Sequence, residues 1–228
     1  MIKKLFREKD RSIKMKIEKY TEQINRLPKS GKQIIGQCDD NNIIVYQAFN
    51  PRITAYAVTH QQFGGDEYSF NRMSWIKPGF LWMMHRAGWA SKKNQESIVA
   101  ITISLINFKT ILQQATISSY DEGLFANHED WKEELNKTAV RLQWDPDQDP
   151  FGNRQERKAI QLGMKGNLLK EFCTDWIVKI EDITSLVQEE YKKVNDKSIA
   201  ELNVPYETVI NIQDAAIEKR IGIDKRCL

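Results

Sequence analysis

The sequence predicts an α+β fold: a single domain with a mixed, mostly antiparallel sheet and surrounding helices, preceded by an N-terminal basic helix. Three observations carry that prediction. Strand-like and helix-like runs follow one another without the strand–helix–strand rhythm of a parallel α/β sheet. The 228 residues, 41% hydrophobic and 10% aromatic, suffice for one sizeable core and exclude wholesale disorder. No apolar run approaches the ~20 residues of a membrane-spanning helix. The first thirty residues are charged throughout, without the apolar stretch of a secretory signal.

Residues 1–30 form the expected arm, with ten Lys/Arg against four acids in a chain of net charge +3, so residues 31–228 are mildly acidic. Ile13, Ile17, Tyr20 and Ile24 recur at helical spacing, which predicts a basic amphipathic helix over residues 8–26. Leu27-Pro28 and Ser30-Gly31 break it. Such an arm either meets a polyanion such as nucleic acid or lies solvated across the body on its apolar stripe.

Residues 31–228 read as one domain. Runs 33–38 and 42–49 are strands of a hairpin turned by Asp39-Asp40-Asn41. Asn50-Pro51 supplies an N-cap and a first-turn proline for a helix to residue 62, which Gly64-Gly65 follows. Residues 70–76 predict a short strand. Pro78 opens a helix over 79–88 that is apolar almost all round, hence buried on most faces. SIVAITISLI, 97–106, is the strongest strand signal in the chain. A helix at 108–114, an edge strand at 116–119 and a polar helix at 128–136 anchored by Trp131 come next. Val140, Leu142 and Trp144 alternate with Arg141 and Gln143, predicting a strand over 139–144. Residues 145–153, with two Pro, one Gly and three Asp, read as a loop. Strands at 158–162 and 176–180 and helices at 167–175 and 184–194 follow. Segments 205–212 and 214–220 complete the order.

Cys38, Cys173 and Cys227 stand far apart, with no C-x-x-C, and read as free thiols of a reducing, cytoplasmic compartment. His60, His85 and His128 have no zinc-ligand spacing to them, so no metal site is expected.

The familiar catalytic motifs are absent: no G-x-G-x-x-G after a strand, no G-x-x-x-x-G-K-[ST], no G-x-S-x-G, no H-E-x-x-H. Gly163-Met164-Lys165-Gly166 reads as a phosphate-facing turn or as an ordinary strand-to-helix turn. The most unusual segment is 72–89. In it Trp75 and Trp89 flank Arg72, Lys77, His85 and Arg86, while Trp82 reads as core. Aromatic faces interleaved with cations are the composition that grips a base by stacking and its phosphate by charge. Lys77 ends a strand just before a helix. His85 is a candidate acid or base, or simply a packed side chain. A second group is Gln143 and Asp145, two apart and so on one strand face if the strand extends that far, as catalytic candidates that bind a ribose or orient a nucleophile; the alternative is that Asp145-Pro146 begins a turn. Arg157 and Gln161 are their expected neighbours. Tyr46-Gln47 forms a third polar cluster, with Tyr46 read as substrate-binding or as core.

The runs YQAFN (46–50), RMSWIKPGFLWMMHRAGW (72–89) and VRLQWDP (140–146) resemble the uncharacterised domain-of-unknown-function family 4291 (DUF4291), over roughly residues 43–212. This chain departs from the usual family pattern at His85, where Tyr is usual, and at Gly79, where Ser is usual. The resemblance implies no activity, and implies that residues 1–30 are an addition to the shared domain.

Three functions fit the residues. One is a nucleotide-dependent transferase of the ADP-ribosyltransferase-like kind, with NAD as a candidate cofactor. There Arg72, Lys77 and Arg86 hold phosphates, Trp75 stacks on a base, and Gln143 or Asp145 acts on a ribose. That analogy is one of fold alone. The others are a non-catalytic nucleic-acid-binding module, with the arm for charge and Trp75 and Trp89 for stacking, and a structural or interaction domain. Partners are accordingly a nucleotide or nucleic acid, and no membrane.

Overall fold

In the computed structural model, which describes residues 13–224, the first described element is a strand. β1 (Ile17–Lys19) pairs antiparallel with residues 203–205, and Ile13 is buried beside Leu202 and Val204. Among the described residues of the expected helix, α1 (Tyr20–Arg26) is the helical part. The Ile/Tyr stripe has helical spacing, but a strand from the far end of the chain offers residues 17–19 a backbone ladder, and that tertiary pairing overrides local periodicity. Residues 1–12, with the rest of the expected helix, and 225–228, with Cys227, lie outside the described residues.

β2 (Gly31–Lys32) and β3 (Ile35–Gly36) are short, and β4 (Asn42–Phe49) is long. The turn before β4 is held by Asp39 Oδ1, which accepts from the N–H groups of Asn41 and Asn42. Asn50 caps α2 (Pro51–His60) by accepting from the N–H groups of Arg52 and Ile53, both at 3.0 Å. Pro51 takes the first turn, where a missing N–H is harmless. β5 is confined to Ser74–Ile76, and α3 (Phe80–Ala87) stops at Gly88, whose φ of 58° is left-handed. β6 (Ser97–Ser104), α4 (Leu105–Gln113), β7 (Ala115–Ile117) and α5 (His128–Lys137) fall near their expected places.

β8 (Val140–Gln148) and β9 (Arg154–Met164) run well past their expected ends. Asp145-Pro146 was expected to begin a loop, yet both lie in β8. Proline is tolerated there because the ladder shifts register between Pro146 and Gln148. α6 (Gly166–Thr174), β10 (Ile177–Asp182), α7 (Thr184–Asn195), β11 (Asn203–Pro205), β12 (Thr208–Val209) and α8 (Ala215–Ile221) complete the chain.

The strands form one antiparallel sheet, β10-β6-β4, and a five-stranded sheet, β2-β9-β8-β7 with β5 also on β9. Two short ladders, β1-β11 and β12-β3, close the ends. Among the described residues only the β2–β9 and β7–β8 pairs are parallel, so the expected mixed, mostly antiparallel α+β domain is what the chain builds. The main core lies between the two larger sheets: Ile43, Val45 and Ile101 on one side, Val140, Leu142 and Leu162 on the other. A second core packs Ile44, Tyr46 and Ala100, from the opposite face of the smaller sheet, against α3 and α7. Among the described residues no helix is long and apolar enough to cross a membrane. Cys38 and Cys173 are free thiols, as their spacing predicted.

A buried polar cluster fixes the start of α3. Glu207 Oε1 accepts the Phe80 N–H at 2.7 Å, and Arg157 Nε donates to Asp147 Oδ2 at 2.5 Å. Burial pushes the Glu207 carboxyl up to about 8, against the lowering pull of the Phe80 N–H and Arg157. This cluster ties the C-terminal segment and the bent end of β8 to the helix that carries part of the cleft described next.

Candidate functional site

β8 and β9 turn Val140, Leu142, Ile160 and Leu162 into the core, so strand alternation turns Arg141, Gln143, Asp145 and Gln161 to the opposite face. Gln143 and Gln161 are direct cross-strand partners. Their amides converge on one carboxylate: Gln143 Nε2 donates to Asp145 Oδ1 at 2.9 Å, and Gln161 Nε2 to Asp145 Oδ2 at 2.7 Å. The two donors fix the carboxylate's orientation.

Above this face lies a cleft of about 630 Å³. Arg72, Trp75, Lys77, Arg86, Gln143 and Gln161 all line it, so six of the residues singled out from sequence meet in one place. Asp145 stands directly behind the two glutamines. Lys93 adds a fourth cation. Among the described residues none of the four is ion-paired or donates a side-chain hydrogen bond to another residue. The acid on the rim, Glu67, is already engaged by Arg52 at 2.7 Å and by Asn50 at 2.9 Å. Four uncompensated cations around one hollow call for an anion.

Lys77 sits where the two sheets touch. Its carbonyl accepts the Tyr46 N–H at 2.7 Å and its N–H donates back at 3.1 Å, while β5, which it follows, pairs with β9. The residue is 4% exposed. Burial first, then Arg86, pull its ammonium down to about 8, with Asp145 acting the other way. Gln47 holds the neighbouring wall by donating to Ser74 Oγ at 2.8 Å and to the Trp75 carbonyl at 3.1 Å. Its Oε1 is buried without a partner.

The Trp75 indole lies across Gly163, its cross-strand partner. A Cβ at Gly163 would fall 2.7 Å from Trp75 Cε2 and 2.6 Å from Met73 Sδ. Glycine is what lets the ring rest on the sheet. Gly163→Ala is therefore expected to cost about 1–3 kcal/mol of stability by overpacking, read by chemical denaturation. An unchanged stability would mean that the ring leaves the floor freely.

Three expected site residues, and the candidate acid or base His85, are placed elsewhere. Tyr46 is fully buried against Phe80 in the second core, its hydroxyl held far from ionisation by burial and by Glu207. Strand alternation explains the exchange: of the pair Tyr46-Gln47, it is Gln47 that faces the cleft. Trp89, at φ 53° after α3, stacks on Tyr191 and donates to the Pro150 carbonyl at 3.3 Å. Arg157 shares a strand face with Gln161 by count, but four residues along a strand span roughly 13 Å, and Asp147 holds it in the buried cluster. His85 is exposed at the end of α3 and stacks on Trp82, so it packs outside the cleft. Partial burial, then Lys92, Arg154 and Arg86, lower it. Lys165-Gly166 border a separate hollow of about 390 Å³. Met73 and Lys93 are lining residues that the sequence reading does not single out, and Gln47 is named in it only as part of a polar cluster. The run Lys92-Lys93-Asn94 was a polar signal with no partner visible in sequence.

Among the described residues no group of three or more His, Cys, Asp or Glu could hold a metal ion. Residues 33–210 match the profile of a family described as Domain of unknown function (DUF4291). A search of curated proteins found no match.

Proposed function

The chain belongs to the DUF4291 family, and from its geometry we propose that it is a nucleotide-dependent transferase whose substrate lies in the cleft between the two sheets. One observation carries this reading: four unpaired cations, a half-buried indole and two glutamines that orient the Asp145 carboxylate meet at a single hollow. The permanently charged Arg72 and Arg86, with Lys93, hold the phosphates. Trp75 takes the base on its face. Gln143, Gln161 and Asp145 meet the ribose or the acceptor hydroxyl, where Asp145 serves as the proton acceptor. The cleft's volume falls within the range usual for small-molecule sites.

A thermal-shift comparison of ATP, GTP, NAD and a short single-stranded RNA tests it. A nucleotide present at ~100 times its dissociation constant adds about 2.7 kcal/mol, and the stabilisation should vanish in Arg86→Ala with the unliganded melting temperature unchanged. Stabilisation by RNA alone, falling steeply with salt, would replace the transferase by a nucleic-acid-binding module. No stabilisation by any of the four would leave the cleft without this function.

A further inference from the structure

The geometry points to a further role for the Lys77 side chain: we propose that its Nζ is the nucleophile that takes a nucleotidyl group from a nucleoside triphosphate. This rests on the nucleotide reading above and specifies its chemistry.

Four observations bear on Lys77 among the cations of the cleft. It lines the cleft while only 4% exposed, whereas Arg72, Arg86 and Lys93 are exposed. Among the described residues its ammonium donates no hydrogen bond and forms no ion pair, although burial of such a group normally demands a partner. Both its backbone groups are bonded to Tyr46, and Pro78 follows, so the side chain starts from a fixed point. Finally, the charge needed to hold phosphates is already supplied by two guanidinium groups that cannot lose it. A buried, unpaired lysine next to Arg86 adds little as a further counterion. As a nucleophile it is distinct, because burial and Arg86 both favour the neutral amine.

The step balances as follows. The Nζ lone pair attacks the α-phosphorus and an N–P bond forms. The bond from that phosphorus to the bridging oxygen of the β-phosphate breaks, and pyrophosphate leaves with the electron pair. The Nζ proton passes to Asp145, whose oxygens keep free lone pairs beside the Gln143 and Gln161 amides. In a second step an acceptor oxygen attacks the phosphoramidate, the N–P bond breaks, and the acceptor's proton returns to Nζ. Asp145 releases the first proton to solvent with the departing pyrophosphate, so Lys77 and Asp145 are both restored and the nucleotidyl group has been transferred.

Intact-mass spectrometry of the full chain, incubated in turn with the magnesium complexes of ATP, GTP, CTP and UTP, tests this. The expected result is a gain of one nucleoside monophosphate residue with at least one of them. That adduct should survive alkali, be lost in acid as phosphoramidates are, and map to Lys77 by peptide sequencing. Lys77→Arg and Lys77→Met should form no adduct while still being stabilised by the triphosphate. Asp145→Asn should slow adduct formation by ~10². Triphosphate binding without any adduct, or an adduct that persists in Lys77→Arg, would overturn the nucleophile and leave the binding site standing. Absence of triphosphate binding would remove both.

Discussion

Arg157→Ala is expected to destabilise the protein by about 3–5 kcal/mol, the usual consequence of leaving one member of a buried ion pair alone. Arg157 is 3% exposed and its Nε lies 2.5 Å from Asp147 Oδ2. Nearby, Glu207 is fully buried and its carboxyl is pushed up by Asp147 as well as by burial, while Arg157 pulls it down. Removing the guanidinium therefore takes from both acids the cation that bonds Asp147 and pulls Glu207 down. The sign of the pH dependence follows. Glu207 in its neutral form burdens folding little below the ordinary carboxylate range, and its burial becomes progressively unfavourable as pH rises towards and through about 8. The deficit of Arg157→Ala should thus be smaller at pH 5 than at pH 8. Urea denaturation at both values measures it. The double variant Arg157→Met/Asp147→Leu should recover most of the loss. A single-variant loss below about 1 kcal/mol, the range of exposed pairs, would mean that water reaches the cluster and that α3 is not anchored as described.

Lys77→Met is expected to do the opposite: to raise stability while removing function. Burial and Arg86 lower the Lys77 ammonium from 10.5 to about 8, with Asp145 only partly compensating. Below pH 8 the folded protein carries the full penalty of a buried charge. Between 8 and 10.5 that penalty disappears, because the folded state loses its proton first. A thioether of similar length avoids it. The variant should be more stable by up to about 3 kcal/mol at pH 7, and its advantage should shrink towards pH 10. Nucleotide-dependent transfer should fall by ~10³ or more. In the wild type, the transfer rate should rise with pH through about 8 as the amine is freed. A variant that melts lower, or that keeps its activity, would show that Lys77 is structural. Stability sacrificed at a functional group is the pattern expected of a working site.

Much of this arrangement was legible in the sequence. Val140-Arg141-Leu142-Gln143 alternates cleanly, which puts Gln143 and Asp145 on a common face once the strand runs past residue 144, with Gln161 as their cross-strand neighbour. Arg72, Trp75, Lys77 and Arg86 stood out by composition. What the sequence could not supply was long-range pairing. β1 forms because residues 203–205 arrive from the other end of the chain, and nothing local to Ile17 announces them. Pro146 argued for a turn, and only the register shift opposite β9 keeps it in the strand. Tyr46 and Gln47 differ by one position, and the choice between cleft and core turns on which face of β4 each occupies. Trp89 carries the same composition as Trp75, but its left-handed backbone after α3 directs it onto Tyr191. Which aromatic ring is site and which is core is thus decided by tertiary geometry that pattern alone does not encode.

The most direct measurement is a crystal structure of the full chain soaked with ATP. The phosphates are expected between Arg72, Arg86 and Lys77, with the adenine lying over Trp75. Nucleotide bound instead at Lys165-Gly166, or on the arm with the cleft vacant, would contradict the central claim.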